Sequence, residues 1–209
     1  MSWRLVDGVA VPDAVAGTPA LDFCNTRAGW GSDRPKEYLV SVQALAIWAR
    51  EAGLLSPRLA ASAAARTDPE AQRVLHRAVA LRQAVYPVAL GRGSAGDWAT
   101  VSAEATRGRA WQQLAPVGPR TRSGNDPEPA ARWGFPADGG TGPSTEYAIA
   151  AIAVAVADLL VSALAGSVSA CPGQGCGWLF ADPRGRRRWC SMAVCGNRAK
   201  ARRFAVRHA

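Results

Sequence analysis

The sequence predicts a mainly α fold (α+β only through a few short strands), with a helical N-terminal domain followed by a small cysteine-bounded module that ends in a basic helix. Three observations predict it. Helix-start signals, each a capping residue followed by proline, recur in the first half of the chain. The apolar run from Ala148 to Leu164 has the length of a buried helix. Four of the five cysteines lie beyond residue 170, and all of the net charge lies in the last 26 residues.

The elements follow in order. The N-terminal stretch alternates weakly and carries Leu21-Asp22-Phe23-Cys24-Asn25-Thr26. A helix is expected from near Ser41, with Val42, Leu45, Trp48, Ala49 and Ala52 on one face and Gly53 as its stop. Ser56-Pro57 opens a second helix. Asp68-Pro69-Glu70 opens a longer one, whose stripe contains Val74, Leu75, Ala78, Leu81, Arg82, Val85 and Ala89 and which Pro87 should kink or end. A short helix is expected from Asp97. Residues 116–143, rich in Gly and Pro, read as loop, with short strands around Trp111 to Leu114 and Ala131 to Phe135. After Pro143-Ser144 the apolar helix should run to about Leu164 and end at Gly166. The division is therefore 1–166 for the helical domain and 167–209 for the module, joined by a short linker.

Composition sets bounds. Apolar residues make up 48% and charged residues 20% of the 209, as in ordinary globular proteins. The start, MSWRLVDGVAVPD, lacks a basic segment leading into an apolar core. The run to Leu164 is mostly Ala and Val and is interrupted by Asp158 and Ser162, so it is weak as a membrane span. A cytoplasmic protein with no membrane partner and reduced thiols is expected. The net charge is +9, yet Met1 to Pro183 holds 16 basic and 16 acidic residues. The nine remaining cations are Arg184, Arg186, Arg187, Arg188, Arg198, Lys200, Arg202, Arg203 and Arg207, with no acidic residue among them. A neutral body with a cationic end has the form of a polyanion-binding module on a larger domain. The alternative is a solvated basic tail, and the cysteines interleaved with the charge speak against it.

Those cysteines read Cys171-x4-Cys176, thirteen residues, then Cys190-x4-Cys195. Each pair closes a short loop that can aim two sulfurs at one point. Four thiolates fill tetrahedral zinc and leave no place for water, so the expected cofactor is one structural Zn2+. Two disulfides or an iron–sulfur cluster are the alternatives. The glycine after each second cysteine, Gly177 and Gly196, suits a positive φ or close backbone approach. Zinc with four thiolates carries a formal −2, which Arg186, Arg187, Arg188 and Arg198 can partly neutralise. The module's own core would be Trp178, Leu179, Phe180, Trp189 and Phe204, with metal supplying the missing stability. Because the body has its own apolar helices, chelation is expected to disorder 171–207 and leave the body folded.

The run Cys176-Gly-Trp-Leu-Phe-Ala-Asp182, and then Arg187 to Arg203 with Cys195-Gly196-Asn197-Arg198, resembles the bacterial CGNR zinc finger. The upstream part resembles the ABATE domain that usually precedes this finger, with Leu21 to Thr26 matching its N-terminal signature. The resemblance implies a treble-clef or ribbon-like module. It also implies a stress-related transcription regulator whose finger binds DNA and whose upstream domain senses a small molecule.

The candidate nucleic-acid contacts are Arg184, Arg186, Arg187, Arg188, Asn197, Arg198, Lys200, Arg202 and Arg203. The segment after Cys195 reads as a helix with Arg198, Arg202 and Lys200 on one side, and with Phe204 and Ala201 toward the module. The alternatives for this end are a charged solvated helix or a site for an acidic protein partner, and RNA stays open beside DNA. In the body, Asp22, Asn25 and Thr26 are short polar side chains in an apolar context, and a buried carboxylate needs a partner. Arg82 is the expected cation. The group is either a structural hydrogen-bond network or a polar corner of a ligand pocket walled by Trp48 and Trp30, with Asp158 a weaker candidate for that pocket. Expected partners are thus DNA and a small-molecule effector, with a homodimer also admitted. An enzyme is not expected: His76 and His208 are isolated, Cys24 reads as a buried free thiol without an evident base, and no nucleophile–base pattern or phosphate loop appears.

Overall fold

The computed structural model describes residues 2–117, 130–135 and 144–207. A hairpin opens the chain, β1 (Trp3–Val6) against β2 (Val9–Pro12), turned by Asp7 at φ 49° and Gly8 at φ 78°. Asp-Gly with both residues at positive φ matches the right-handed twist of a tight hairpin. Then comes α1 (Pro19–Cys24), capped by the Thr18 hydroxyl and buried from Ala20 to Cys24. It is followed by the two-residue strands β3 (Arg27–Ala28) and β4 (Lys36–Glu37).

The capped starts predicted from sequence are the starts observed. Ser41 caps α2 (Val42–Glu51), Ser56 caps α3 (Pro57–Ala64) and Asp68 caps α4 (Pro69–Ala89). Gly53, at φ 71°, follows α2 as its stop. Pro87 lies in the last turn of α4, where it removes a helix hydrogen bond, and the helix ends two residues later. The helix expected to be short is α5 (Ala95–Ala110), 16 residues long, because Ser94 and Asp97 form a full capping box. The strands β5 (Gln113–Pro116) and β6 (Ala131–Gly134) pair where two were expected. Most of the Gly/Pro-rich loop between 116 and 143 lies outside the described residues.

Helix α6 (Ser144–Leu160) runs through the centre and packs on each of α1 to α5. Its core positions Ile149, Ile152 and Val156 are 0–1% exposed, and Ala148, Ala150, Ala151 and Ala153 fill the space around them. Small side chains let its neighbours come close: a Cβ on Gly108 of α5 would lie 2.7 Å from the Ala150 carbonyl oxygen. The alanine richness therefore has a packing use. The helix ends at Leu160 rather than Leu164, where Ser162 caps a 3₁₀ turn, Ala163–Ser167. Asp158 is exposed, pairs with Arg109 and does not line the cavity at Asp22. No helix among the described residues is long and apolar enough to cross a membrane.

The C-terminal module is a hairpin and a helix. Strands β7 (Val168–Ala170) and β8 (Leu179–Ala181) flank a loop holding Cys171 and Cys176. A π-helical turn, Met192–Gly196, leads into α7 (Asn197–Arg207) and carries Cys195. A cysteine-bearing hairpin tip facing cysteines at a helix start is the treble-clef-like of the two expected forms.

Candidate metal centre and nucleic-acid interface

The four sulfurs of Cys171, Cys176, Cys190 and Cys195 lie within 4.8 Å of one another, and all four residues are buried. A tetrahedron of sulfurs about 2.3 Å from zinc has edges of about 3.8 Å. The Cys176–Cys190 and Cys190–Cys195 Sγ separations are both 3.7 Å. A disulfide needs about 2.0 Å, and all five cysteines are free thiols. With no ion between them, the sulfurs compete for protons. Cys171 is held well below the ordinary thiol range by hydrogen bonds from Cys176 and Cys190, and those two are pushed up chiefly by their bonds to Cys171. Several thiolates can share this space only around a positive ion. The donor set thus fits one structural zinc, closed to solvent and carrying no chemistry of its own. Gly173 permits the approach, since a Cβ there would lie 3.1 Å from Cys195 Sγ.

The module is not an appendage. Side chains of a strand alternate between faces, and β8 uses both. Trp178 and Phe180 cover the cysteines, together with Ala28 and Tyr38 of the body, whereas Leu179 and Ala181 enter the main helical core. One edge of β8 pairs with β7. The other is capped by the body: the Asn25 side chain donates to the Leu179 carbonyl at 2.9 Å and accepts the Leu179 N–H at 2.8 Å, and the Ala181 N–H donates to the Ala16 carbonyl at 2.9 Å. The carbonyl of the ligand Cys176 accepts the N–H groups of Gly29 (3.1 Å) and Trp30 (3.3 Å). The Trp178 indole donates to the Arg27 carbonyl, and the Tyr86 hydroxyl to the Gly177 carbonyl at 2.7 Å. Tyr86 stacks on Trp30 with ring centroids 3.9 Å apart. Gly177 sits at φ 68°, and a Cβ on it would lie 2.8 Å from Trp30 Cβ. The seat on the body therefore requires glycine here as strictly as the turn does. Gly196 has no positive φ, and its Cβ would meet only the flexible Met192 tip and Trp189.

This seat corrects the expected role of Leu21 to Thr26. Asp22 and Arg82 do not pair. Asp22 Oδ1 accepts the N–H groups of Val15 (2.9 Å) and Ala16 (3.0 Å). Arg82, with no exposed surface, is paired bidentately with Glu37 and bonds the Thr26 hydroxyl at 2.9 Å. Burial would raise the Glu37 carboxyl, but the hydrogen bond and charge of Arg82 bring it below its usual value. Glu37 carried no signal in the sequence, being half of a two-residue strand. Tyr86 did carry one, four residues after Arg82 on the same helical stripe. Trp30 belongs to the seat and walls no pocket with Asp22. Cys24 is fully buried and pushed up to about 12 by desolvation, an inert thiol.

Of the expected pocket residues, Asp22 and Trp48 do meet. They line a cavity of about 290 Å³ with Arg4, Val11, Thr18 and Glu51. Burial pushes Asp22 up to about 6, against the opposing pull of its two N–H donors, the Asn25 amide and the Arg187 charge. Residues 15 and 16 then join this cavity to the finger. Beyond their bonds to Asp22, Ala16 accepts from Ala181, and the Val15 carbonyl accepts Arg187 Nη2 at 2.8 Å. The same nitrogen donates to the carbonyl of the ligand Cys190 at 2.6 Å.

The cations divide accordingly. Arg187 is committed to the seat, bonding three carbonyls and lying over the Phe180 ring. Arg188 lies over Trp189, and Arg184 and Arg186 are exposed. Asn197 bonds the Ala193 carbonyl at the entry to α7. Helix α7 buries none of its residues. Its cations fall on two sides: Arg202 reaches Gln174 and Arg198 lies one turn before it, whereas Lys200 joins Arg203, Phe204 and Arg207 along a separate groove. Lys200 is therefore not on the Arg198 side. Phe204, expected to face the module, is 66% exposed, because the helix leaves the module rather than folding back on it.

Fold and site define a class: a helical body into which a structural zinc module with four cysteine ligands is docked. Residues 17–163 match the ABATE family, described as "Putative stress-induced transcription regulator", and residues 168–208 match the CGNR zinc finger. The chain belongs to the ABATE family and ends in a CGNR finger. No curated protein matches it.

Proposed function

We propose that this chain is a transcription regulator that binds DNA through its finger and responds to a small ligand in its body, with 1–166 and 167–209 as the two working parts. The observation that carries the reading is the placement of charge. The body is close to neutral, and the terminal cations stand on a helix that buries nothing and whose start is held by a zinc ligand. Arg side chains on such a helix can meet phosphates and guanine edges. The leading contacts are Arg198 and Arg202, supported by Arg184, Arg186, Arg188, Asn197, Lys200 and Arg203. Ligand response is supported by the chain of hydrogen bonds from the Asp22 cavity through Val15 to Arg187 and Cys190.

The test is genome-wide mapping of DNA bound by the intact protein against an Arg198→Ala/Arg202→Ala control. A finger deletion is the wrong control, since it would uncover the core that Leu179 fills. In vitro, the slope of log K against log salt should be about −4 to −5 per finger. An intact protein with no DNA binding at about 50 mM salt, even at high micromolar concentration, would replace this reading with an adaptor for an acidic partner.

A further inference from the structure

We infer that the cavity between β2, α1 and α2 is a binding site for a small amine, with Asp22 as counter-ion to its ammonium group and Trp48 as wall for its apolar body. This rests on the reading of the body as the ligand-responsive part, and names the chemistry of what it takes.

The volume, about 290 Å³, is at the lower end for small-molecule sites, so the occupant is a compact molecule. The walls are largely apolar, from Val11, Pro12, Pro19 and Trp48. The charged groups differ in what they have left to offer. Arg4 and Glu51 at the rim are paired to each other at 2.9 Å; Arg4 also reaches Asp13, and Glu51 also binds Arg50. Arg187, behind Asp22, is taken up by three carbonyls. Asp22 is different: 8% exposed, it gives Oδ1 to two backbone donors, and no salt bridge among the described residues includes it. The rest of its acceptor capacity is left to the Asn25 side chain and to whatever enters. A buried carboxylate without an ion-pair partner disfavours its charged form, and the upward shift of Asp22 expresses that. A donor cation restores the missing partner, a neutral donor does so less well, and a carboxylate ligand would set like charges together. The aromatic wall adds an apolar or cation–π contact.

Three isosteric probes test the class on the zinc-loaded full-length protein: benzylamine, benzyl alcohol and benzoate, followed by calorimetry and ligand-observed NMR. Benzylamine should bind saturably, at least about tenfold tighter than benzyl alcohol, with benzoate weakest. Asp22→Asn keeps an oxygen for Val15 and Ala16 and should reduce benzylamine to the level of the alcohol. Ala14→Trp, at an exposed lining position, should plug the mouth and abolish binding of all three. If Asp22→Asn fails to fold by circular dichroism and zinc content, the Ala14→Trp result and the probe ranking decide. Equal binding of the three probes overturns the inference. So does unchanged benzylamine affinity in folded Asp22→Asn or Ala14→Trp, or no saturable benzylamine binding by about 10 mM. DNA affinity is measured in the same samples. Amine binding that leaves DNA affinity unchanged supports the site and counts against ligand response, whereas intact DNA binding without amine binding removes this inference alone.

Discussion

The two halves of the zinc module use the same metal for opposite ends. The first half, Val168 to Asp182, is absorbed into the body: Leu179 has no exposed surface, Trp178 and Phe180 are 1% exposed, and side chains or backbone from residues 15–30 and 86 satisfy its polar groups. The second half ends in α7, which buries no residue and carries cations on both of its sides. Zinc joins an element that faces inward to one that faces outward. Changes in the first should therefore appear as stability, and changes in the second as binding.

The largest effect should come from the metal itself. Structural zinc in such modules contributes on the order of 10–16 kcal/mol. Chelation, or Cys195→Ser, should abolish DNA binding and disorder α7. Because Leu179 and Ala181 fill the helical core, the body should also lose stability. Hydrogen exchange should speed up at Gly29, Trp30 and Ala181, whose N–H bonds cross the seat. If zinc removal leaves those amides and the body's Tm untouched, the docking is not energetically real and the two parts are independent, as the sequence suggests.

Next in size is Asn25→Ala. It strips a buried N–H and a buried carbonyl of Leu179 of their partners. At about 1–3 kcal/mol for each unsatisfied group, a loss of roughly 2–6 kcal/mol is expected in denaturant unfolding.

A smaller effect is pH-dependent. The Asp22 pKa in the folded chain is raised from 3.8 to about 6, mainly by burial. A raised pKa gives stability that is fully present below the unfolded value and is lost as pH rises through the folded one. From about pH 4 to about pH 7 the wild type should therefore lose up to about 3 kcal/mol relative to Asp22→Asn. Parallel stability curves for the two proteins would place Asp22 in water rather than in a buried wall of the cavity.

The smallest stability effect sharpens the comparison most. Arg198→Ala and Arg202→Ala should each change unfolding free energy by no more than about 0.5 kcal/mol and leave zinc content unchanged. Each should nonetheless weaken DNA binding and reduce the salt slope by about 1. A stability loss comparable to that of Asn25→Ala would mean that α7 packs on the body.

Much of this is legible in the chain itself. Caps are local, so Ser41, Ser56 and Asp68 announce their helices through hydrogen bonds spanning three residues. The zinc ligands are legible for the same reason, because each cysteine pair closes a loop of four intervening residues around one point. The Ser94–Asp97 box is equally local and marks the start of α5, a longer helix than the one expected from Asp97. Charge is additive along a sequence, so the neutral body and cationic end can be counted residue by residue. What the tertiary structure alone decided is which buried polar group meets which. Asp22 and Arg82 are both buried, yet Arg82 found Glu37, 45 residues away, and Asn25 found Leu179, 154 residues away. Partners at such separations depend on how whole elements pack, and no local pattern encodes them. The same holds for β8, whose alternation is visible in the sequence but whose two destinations, the zinc cluster and the helical core, exist only once the body has folded around it.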